Sequence, residues 1–275
     1  MITSNQIKNK IWESKQEHSL TKESLKMLWE NRIPLIRIRN FATVEECDNL
    51  VAQAQLFNFD YYQDVYPKIE RIGITVFEYN HISKAAYFQA VERTSQLRNS
   101  IMAASFNPLE RLMEKIRNCT GATVRIASEP LYGSYYAGLI RKIEQGTQLH
   151  IDYAPSEQSE WEVGTVIYQL SWNLYLKFSS NNRLGLGQSQ AITGKTRIYD
   201  RQWEPGNDQY KLDSYGYSDT VIADATDMIT FEPYVGDVFI FNTRNFHTVE
   251  PMDGQRVTFT SAIGLLPNGE IILWS

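Results

Sequence analysis

The chain has four histidines, His18, His81, His150 and His247, and two of them stand in settings that suit metal chemistry. His150-Ile-Asp152 puts an imidazole and a carboxylate at i and i+2. On a strand such side chains point to the same face. His247 comes 97 residues later, just past the strand-like run Asp237-Val-Phe-Ile-Phe-Asn242 and a short bend, Thr243–Phe246. Two imidazoles and a carboxylate occupy one face of an octahedral iron, leaving three adjacent positions for a chelating cosubstrate and O2. Nine residues beyond His247, Arg256-Val-Thr258 opens an alternating strand. Arg256 and Thr258 then share a face, where a guanidinium fork suits a carboxylate and the Thr258 hydroxyl can donate beside it. Singly, each feature has an ordinary reading: a strand histidine bonded near a turn, or an arginine in a surface ion pair. The ordered series is what points to a site.

These residues need elements to position them. The first 120 residues read as mixed and mainly helical. Thr21–Trp29 has the apolar spacing of an amphipathic helix. Thr43-Val-Glu-Glu46 is a capping box that opens a helix to about Leu56. Ile33–Arg39 and Gly73–Tyr79 read as strands, and Ala85 to Asn118 as one or two helices interrupted near Asn107-Pro108. After Gly121, short strand-like runs alternate with Gly, Pro, Asn and Asp: Thr123–Ser128, Ser134–Ile143, Gln148–Tyr153, Gly164–Lys177, Thr196–Asp200, Asp227–Glu232, Asp237–Asn242 and Gln255–Leu266. Such spacing argues for a sandwich or barrel. Leu174, Leu176, Phe239, Phe241 and Phe259 are its expected core. Two polar stretches, Phe178–Thr193 and Asp208–Thr226, read as loops, where a rigid scaffold holds a substrate. His18 is expected on an exposed N-terminal helix, and His81, in a turn-like stretch, receives no ligand role.

Composition narrows the classes. With 275 residues, 43% of them hydrophobic, the chain can bury a full core as a single domain, 1–120 supporting a catalytic core at 121–266. A net charge of −5 with no dense basic face argues against nucleic acid. Cys47 and Cys119 form no metal-binding or disulfide pattern. The first 30 residues are polar and no apolar run reaches the ~20 residues of a membrane span, so the expectation is a cytoplasmic protein with a small-molecule substrate and no membrane partner.

The series His150-x-Asp152, His247, Arg256-x-Thr258 resembles the HxD…H…RxS/T signature of the Fe(II)/2-oxoglutarate-dependent oxygenases. The resemblance covers roughly Gly121 to Leu266. It includes Ile143–Asp152 as the approach to the first motif, Gly236–Asn242 as the strand before the distal histidine, and Trp172–Leu176 and Gly194–Arg201 as the strands between. In general look it is nearest the stand-alone hydroxylases and halogenases of natural-product pathways. It implies a double-stranded β-helix (jelly-roll, cupin-like) core packed by helices, mainly β with a helical N-terminal part. It implies that His150, Asp152 and His247 bind Fe(II), and that Arg256, aided by Thr258, pairs with the distal carboxylate of 2-oxoglutarate. A tyrosine before the first motif, Tyr136 or its neighbour Tyr135, would assist. Radical halogenases of this family have Gly or Ala at the metal carboxylate position, where halide binds. Asp152 therefore implies hydroxylation or another oxidation of a C–H bond, with release of succinate and CO2. Arg71 is the candidate for a substrate carboxylate, and Trp274 for closing or packing the pocket. The rival readings are a zinc or manganese cupin-like enzyme and a sensor module that keeps the triad without turnover.

Overall fold

The computed structural model describes residues 11–80, 82–180 and 194–275. Helix α1 (Lys22–Trp29) begins where the Thr21 hydroxyl accepts from Ser24 N–H, and β1 (Leu35–Ile38) follows. The Thr43/Glu46 capping box is formed in both directions and opens α2 (Val44–Ala54). Two short strands come next, β2 (Asp60–Tyr61) and β3 (Glu70–Ile72). The long helical stretch is α3 (Lys84–Ala103) and α4 (Pro108–Thr120), divided at Asn107, whose side chain caps the second helix.

The β-rich part contains β4 (Val124–Ile126), β5 (Ser128–Glu129), β6 (Gly133–Ser134) and β7 (Leu139–Lys142), then a single turn, α5 (Ala154–Glu157). There follow β8 (Tyr168–Ser180), β9 (Thr196–Gln202), β10 (Met228–Phe231), β11 (Val238–Asn242), β12 (Asn245–Val249), β13 (Gly254–Leu265) and β14 (Ile271–Trp274). The major sheet runs β1-β11-β8-β13-β7-β3-β2, with β14 beside β13 and β4 beside β14. The minor sheet is β10-β9-β12, and β5 with β6 makes a small hairpin.

Strand alternation sorts the major sheet's two faces. Leu170, Trp172, Leu174 and Leu176 of β8, Val238 and Ile240 of β11, and Val257, Phe259 and Ile263 of β13 pack against the helices. The opposite face, with Tyr175, Phe239 and Phe241, meets Ile198 and Phe231 of the minor sheet. The result is a jelly roll backed by helices, with an interior between its sheets.

Several expected elements differ. Gly73–Tyr79 is not a strand: Gly73 has φ 119°, and Thr75 donates N–H to Glu78 (3.1 Å) to start a 3-10 turn at Val76–Tyr79. Ser134–Ile143 is broken at Gly138 (φ 93°), where a Cβ would come within 2.5 Å of the Phe259 ring. Gln148–Tyr153 forms no regular strand; it has a single bridge, His150 to His247. The bend after Asn242 is instead the turn into β12, which contains His247. His18 is not on a helix; it bridges Ile36 and is half-buried. His81 and residues 181–193, most of the first proposed loop, lie outside the described residues, and 178–180 belong to β8.

Candidate metal centre and cavity

His150 and His247 are brought side by side by main-chain pairing. His150 N–H donates to the His247 carbonyl (3.0 Å) and His247 N–H returns the bond (2.9 Å). Two residues on, Asp152 N–H donates to the Thr243 carbonyl (2.9 Å), which keeps Asp152 on the face that His150 uses. The imidazole centroids lie 4.2 Å apart, and one donor atom from each of His150, Asp152 and His247 lies within 4.8 Å of the others.

Each ring is oriented by a second bond. His150 Nδ1 is 2.8 Å from the Gln148 carbonyl, and His247 Nδ1 is 2.9 Å from the Asn245 carbonyl. A carbonyl only accepts, so each Nδ1 carries the proton and each Nε2 keeps a lone pair for a metal. Burial pushes the His150 imidazole down to about 4, and the neighbouring His247 adds to this. It is therefore unprotonated at neutral pH. Burial alone would raise the Asp152 carboxyl, but the neighbouring His247, His150 and Arg141 side chains outweigh it and hold the group well below the usual carboxylate range. Although set deep in the protein, 53% of the Asp152 side-chain surface is accessible, because it faces the cavity. An anionic carboxylate beside oriented imidazoles is a donor set for a divalent cation.

Arg256 and Thr258 do share the interior face of β13. Arg256 is 2% exposed; its Nη2 donates to the Tyr175 hydroxyl (3.0 Å) and Thr196 Oγ1 (3.4 Å), and its guanidinium lies over the Tyr175 ring. Its Nε and Nη1, and Thr258 Oγ1, are buried without a hydrogen-bond partner among the described residues. A buried cation with open donors is costly unless an anion completes it. This donor set fits the carboxylate end of 2-oxoglutarate, and a zinc hydrolase would give it no task.

Other expected residues lie elsewhere. The Tyr136 hydroxyl donates to the Gly138 carbonyl (3.1 Å) within a separate aromatic cluster, and Tyr135 bonds Glu129. Neither is brought to Arg256; Tyr175 of β8 is. Arg71 is buried, but its charge is already paired with Glu78, and it also donates to the Gly73 carbonyl. Arg71 is not among the residues that line the cavity. Trp274 is buried and lines the cavity.

The cavity, about 170 Å³, opens on His150 and Asp152. Arg141 of β7 lines it, with Nη2 on Asn173 Oδ1 (3.2 Å) and Nε buried without a hydrogen-bond partner among the described residues. Two adjacent cations, Arg141 and Lys142, end the strand Leu139-Ile-Arg-Lys142, and alternation puts them on opposite faces. The second proposed loop does reach the site. The Tyr215 hydroxyl accepts from Gln148 N–H (2.9 Å), Tyr217 N–H donates to the Leu149 carbonyl (2.8 Å), and the Tyr215 ring meets His150 edge-on at 5.4 Å.

A jelly roll with two histidines and a carboxylate at its mouth and a buried, anion-ready arginine inside defines the class of Fe(II)/2-oxoglutarate-dependent oxygenases. Residues 14–266 match the model of the family described as carrier-protein-independent halogenase WelO5, and the chain belongs to that family. Its metal is Fe(II), with 2-oxoglutarate and O2 as cosubstrates. The chain is 36% identical over 233 residues to leucinostatins biosynthesis cluster protein S of Purpureocillium lilacinum, covering 78% of this chain and 90% of that one. It is 28% identical over 176 residues to an L-gamma-glutamyl-L-propargylglycine hydroxylase of Streptantibioticus cattleyicolor, covering 62% of this chain and 59% of that relative. Among solved structures, an N-substituted L-amino acid dioxygenase from Burkholderia ambifaria, in complex with alpha-KG, superposes with a TM-score of 0.60 at 12% identity, over 92% of this chain and 90% of that one, and so shares the fold. Among the described residues, no helix is long and apolar enough to cross a membrane.

Proposed function

We propose that the protein hydroxylates, or otherwise oxidises, an aliphatic C–H bond of a small molecule of natural-product or amino-acid metabolism, and does not halogenate it. The observation that carries this reading is Asp152, whose anionic carboxylate stands with His150 and His247 where a halogenase needs a vacancy for halide. His150, Asp152 and His247 hold the iron. Arg256 and Thr258 take the distal carboxylate of 2-oxoglutarate, with Tyr175 and Thr196 fixing the guanidinium. Iron with 2-oxoglutarate and O2 supplies the oxidising equivalent for C–H cleavage, with succinate and CO2 released. The chain's own contribution is placement: Tyr215, Leu139 and Trp274 wall the cavity beside the metal ligands and set which carbon approaches them. The biosynthetic relative and the hydroxylase relative support a small-molecule substrate.

The test is anaerobic addition of Fe(II) and 2-oxoglutarate, following the visible charge-transfer band, with chloride then titrated in. The wild-type band is expected to form and to ignore chloride, and the Asp152→Gly band to shift with it. A wild-type band that moves with chloride, together with chlorinated product, would overturn the hydroxylase reading in favour of halogenation.

A further inference from the structure

Glu157 is the only acidic side chain other than Asp152 among the described residues lining the cavity. It sits at the end of α5, one turn beyond the metal centre, and its backbone is held from two sides. Asn80 Nδ2 donates to the Glu157 carbonyl (3.2 Å), and Ala154 N–H at the start of the turn donates to Gln169 Oε1 (2.7 Å) on β8. The carboxyl group is thus carried on a fixed turn in a cavity of mixed lining, polar at Thr75, Gln169 and Ser171 and apolar along Val65, Ile69, Val76 and Phe77.

No ion pair among the described residues satisfies it. Arg141, the cavity's cation, is bonded to Asn173, and Lys211 is exposed and 3.9 Å from Asp208. Burial, with the charge of Asp152 adding, pushes the Glu157 carboxyl up to about 8, against the smaller pull of Lys211 and the Gln158 side chain. A buried carboxyl group beside a second carboxylate, with no ion pair of its own among the described residues, is short of a positive charge. A ligand bearing one forms a charge-assisted hydrogen bond there.

We propose that Glu157 is a specificity-determining residue that receives a protonated amine of the substrate, so that the substrate class is a small amphipathic amine whose apolar part lies along the Val65–Phe77 side of the cavity. This inference rests on the oxygenase reading of the same cavity. A neutral alcohol of equal length gains only the apolar contacts, whereas the ammonium ion gains Glu157 as well.

The experiment uses n-hexylammonium and 1-hexanol as probes of the anaerobic protein loaded with Fe(II) and 2-oxoglutarate, with binding followed by calorimetry and the visible band recorded in parallel. The ammonium ion is expected to bind at least about tenfold tighter than the alcohol. That preference should vanish in Glu157→Gln and return in part in Glu157→Asp, with the band unchanged in both. The proposal is overturned if wild type does not discriminate, including the case in which neither probe binds, or if Glu157→Gln keeps the preference. If instead the band never forms while the preference for ammonium persists and depends on Glu157, the amine site stands and the oxygenase reading is what fails.

Discussion

The two ends of the barrel interior are built from different materials. Along one face of β13, Arg256 and Thr258 lie at one end, and Thr260 and then Ala262, the latter six residues from Arg256, line the cavity at the other. At a strand rise of about 3.3 Å per residue this is roughly 20 Å of travel. The Arg256 end is made by strands: β13 supplies the arginine, β8 supplies Tyr175 and β9 supplies Thr196, all buried. The cavity end is made largely by turns and connections: α5 with Glu157, the 3-10 turn with Val76 and Phe77, and the 208–226 segment with Tyr215. A strand ladder fixes its side chains in register, which suits a cosubstrate that never changes. Connections vary without disturbing the ladder, which suits a substrate that differs between relatives.

The proposed metal ligands His150, Asp152 and His247 join the two ends, and removing one should have the largest effect. His247→Ala is expected to lose stoichiometric Fe(II), measured by metal analysis after desalting; retained iron would remove His247 from the ligand set. Arg256→Ala should come next. Truncating one partner of a buried charge pair costs about 2–5 kcal/mol, so the KM for 2-oxoglutarate should rise by about 30-fold or more, with iron still bound. An unchanged KM would take Arg256 out of the cosubstrate site and break the contrast between the ends. Tyr175→Phe removes one hydrogen bond from that arginine, worth about 1 kcal/mol. A rise of about fivefold in the same KM is expected, and the corresponding Tyr136→Phe change should leave it unmoved. The smallest effect sharpens the other end. At Gly216 a Cβ would come within 2.6 Å of Gln148 Cβ, so Gly216→Ala should loosen the 208–226 segment. Limited proteolysis in that segment is expected to speed up severalfold, while 2-oxoglutarate affinity stays within about twofold. If both properties moved together, the ends would be one coupled unit.

Reading the motif series from the sequence worked where the chemistry is local to a strand or to an i, i+2 pair. Arg256 and Thr258 do share a face, and Asp152 does follow His150 onto one side. The capping boxes at Thr43 and the break at Asn107-Pro108 were legible for the same reason, since a cap involves only the first turn of its helix. The tyrosine beside Arg256 was not. Tyr136 is nearer to the first motif in sequence, but Gly138 turns the chain between them, and the tyrosine that meets the guanidinium comes from β8 through the β8–β13 register. Arg71 likewise looked free in sequence, and only folding put Glu78 against it.

The sequence by itself determined the ligand types, their order and the alternation that sorts core from interior, because these depend on residue chemistry and on the two-residue period of a strand. Tertiary structure alone decided which tyrosine meets Arg256, that Glu157 faces the cavity with no ion pair among the described residues, and that His150 meets His247. Those are pairings between segments distant in sequence, set by sheet register and by where the connections return, and no local pattern encodes them.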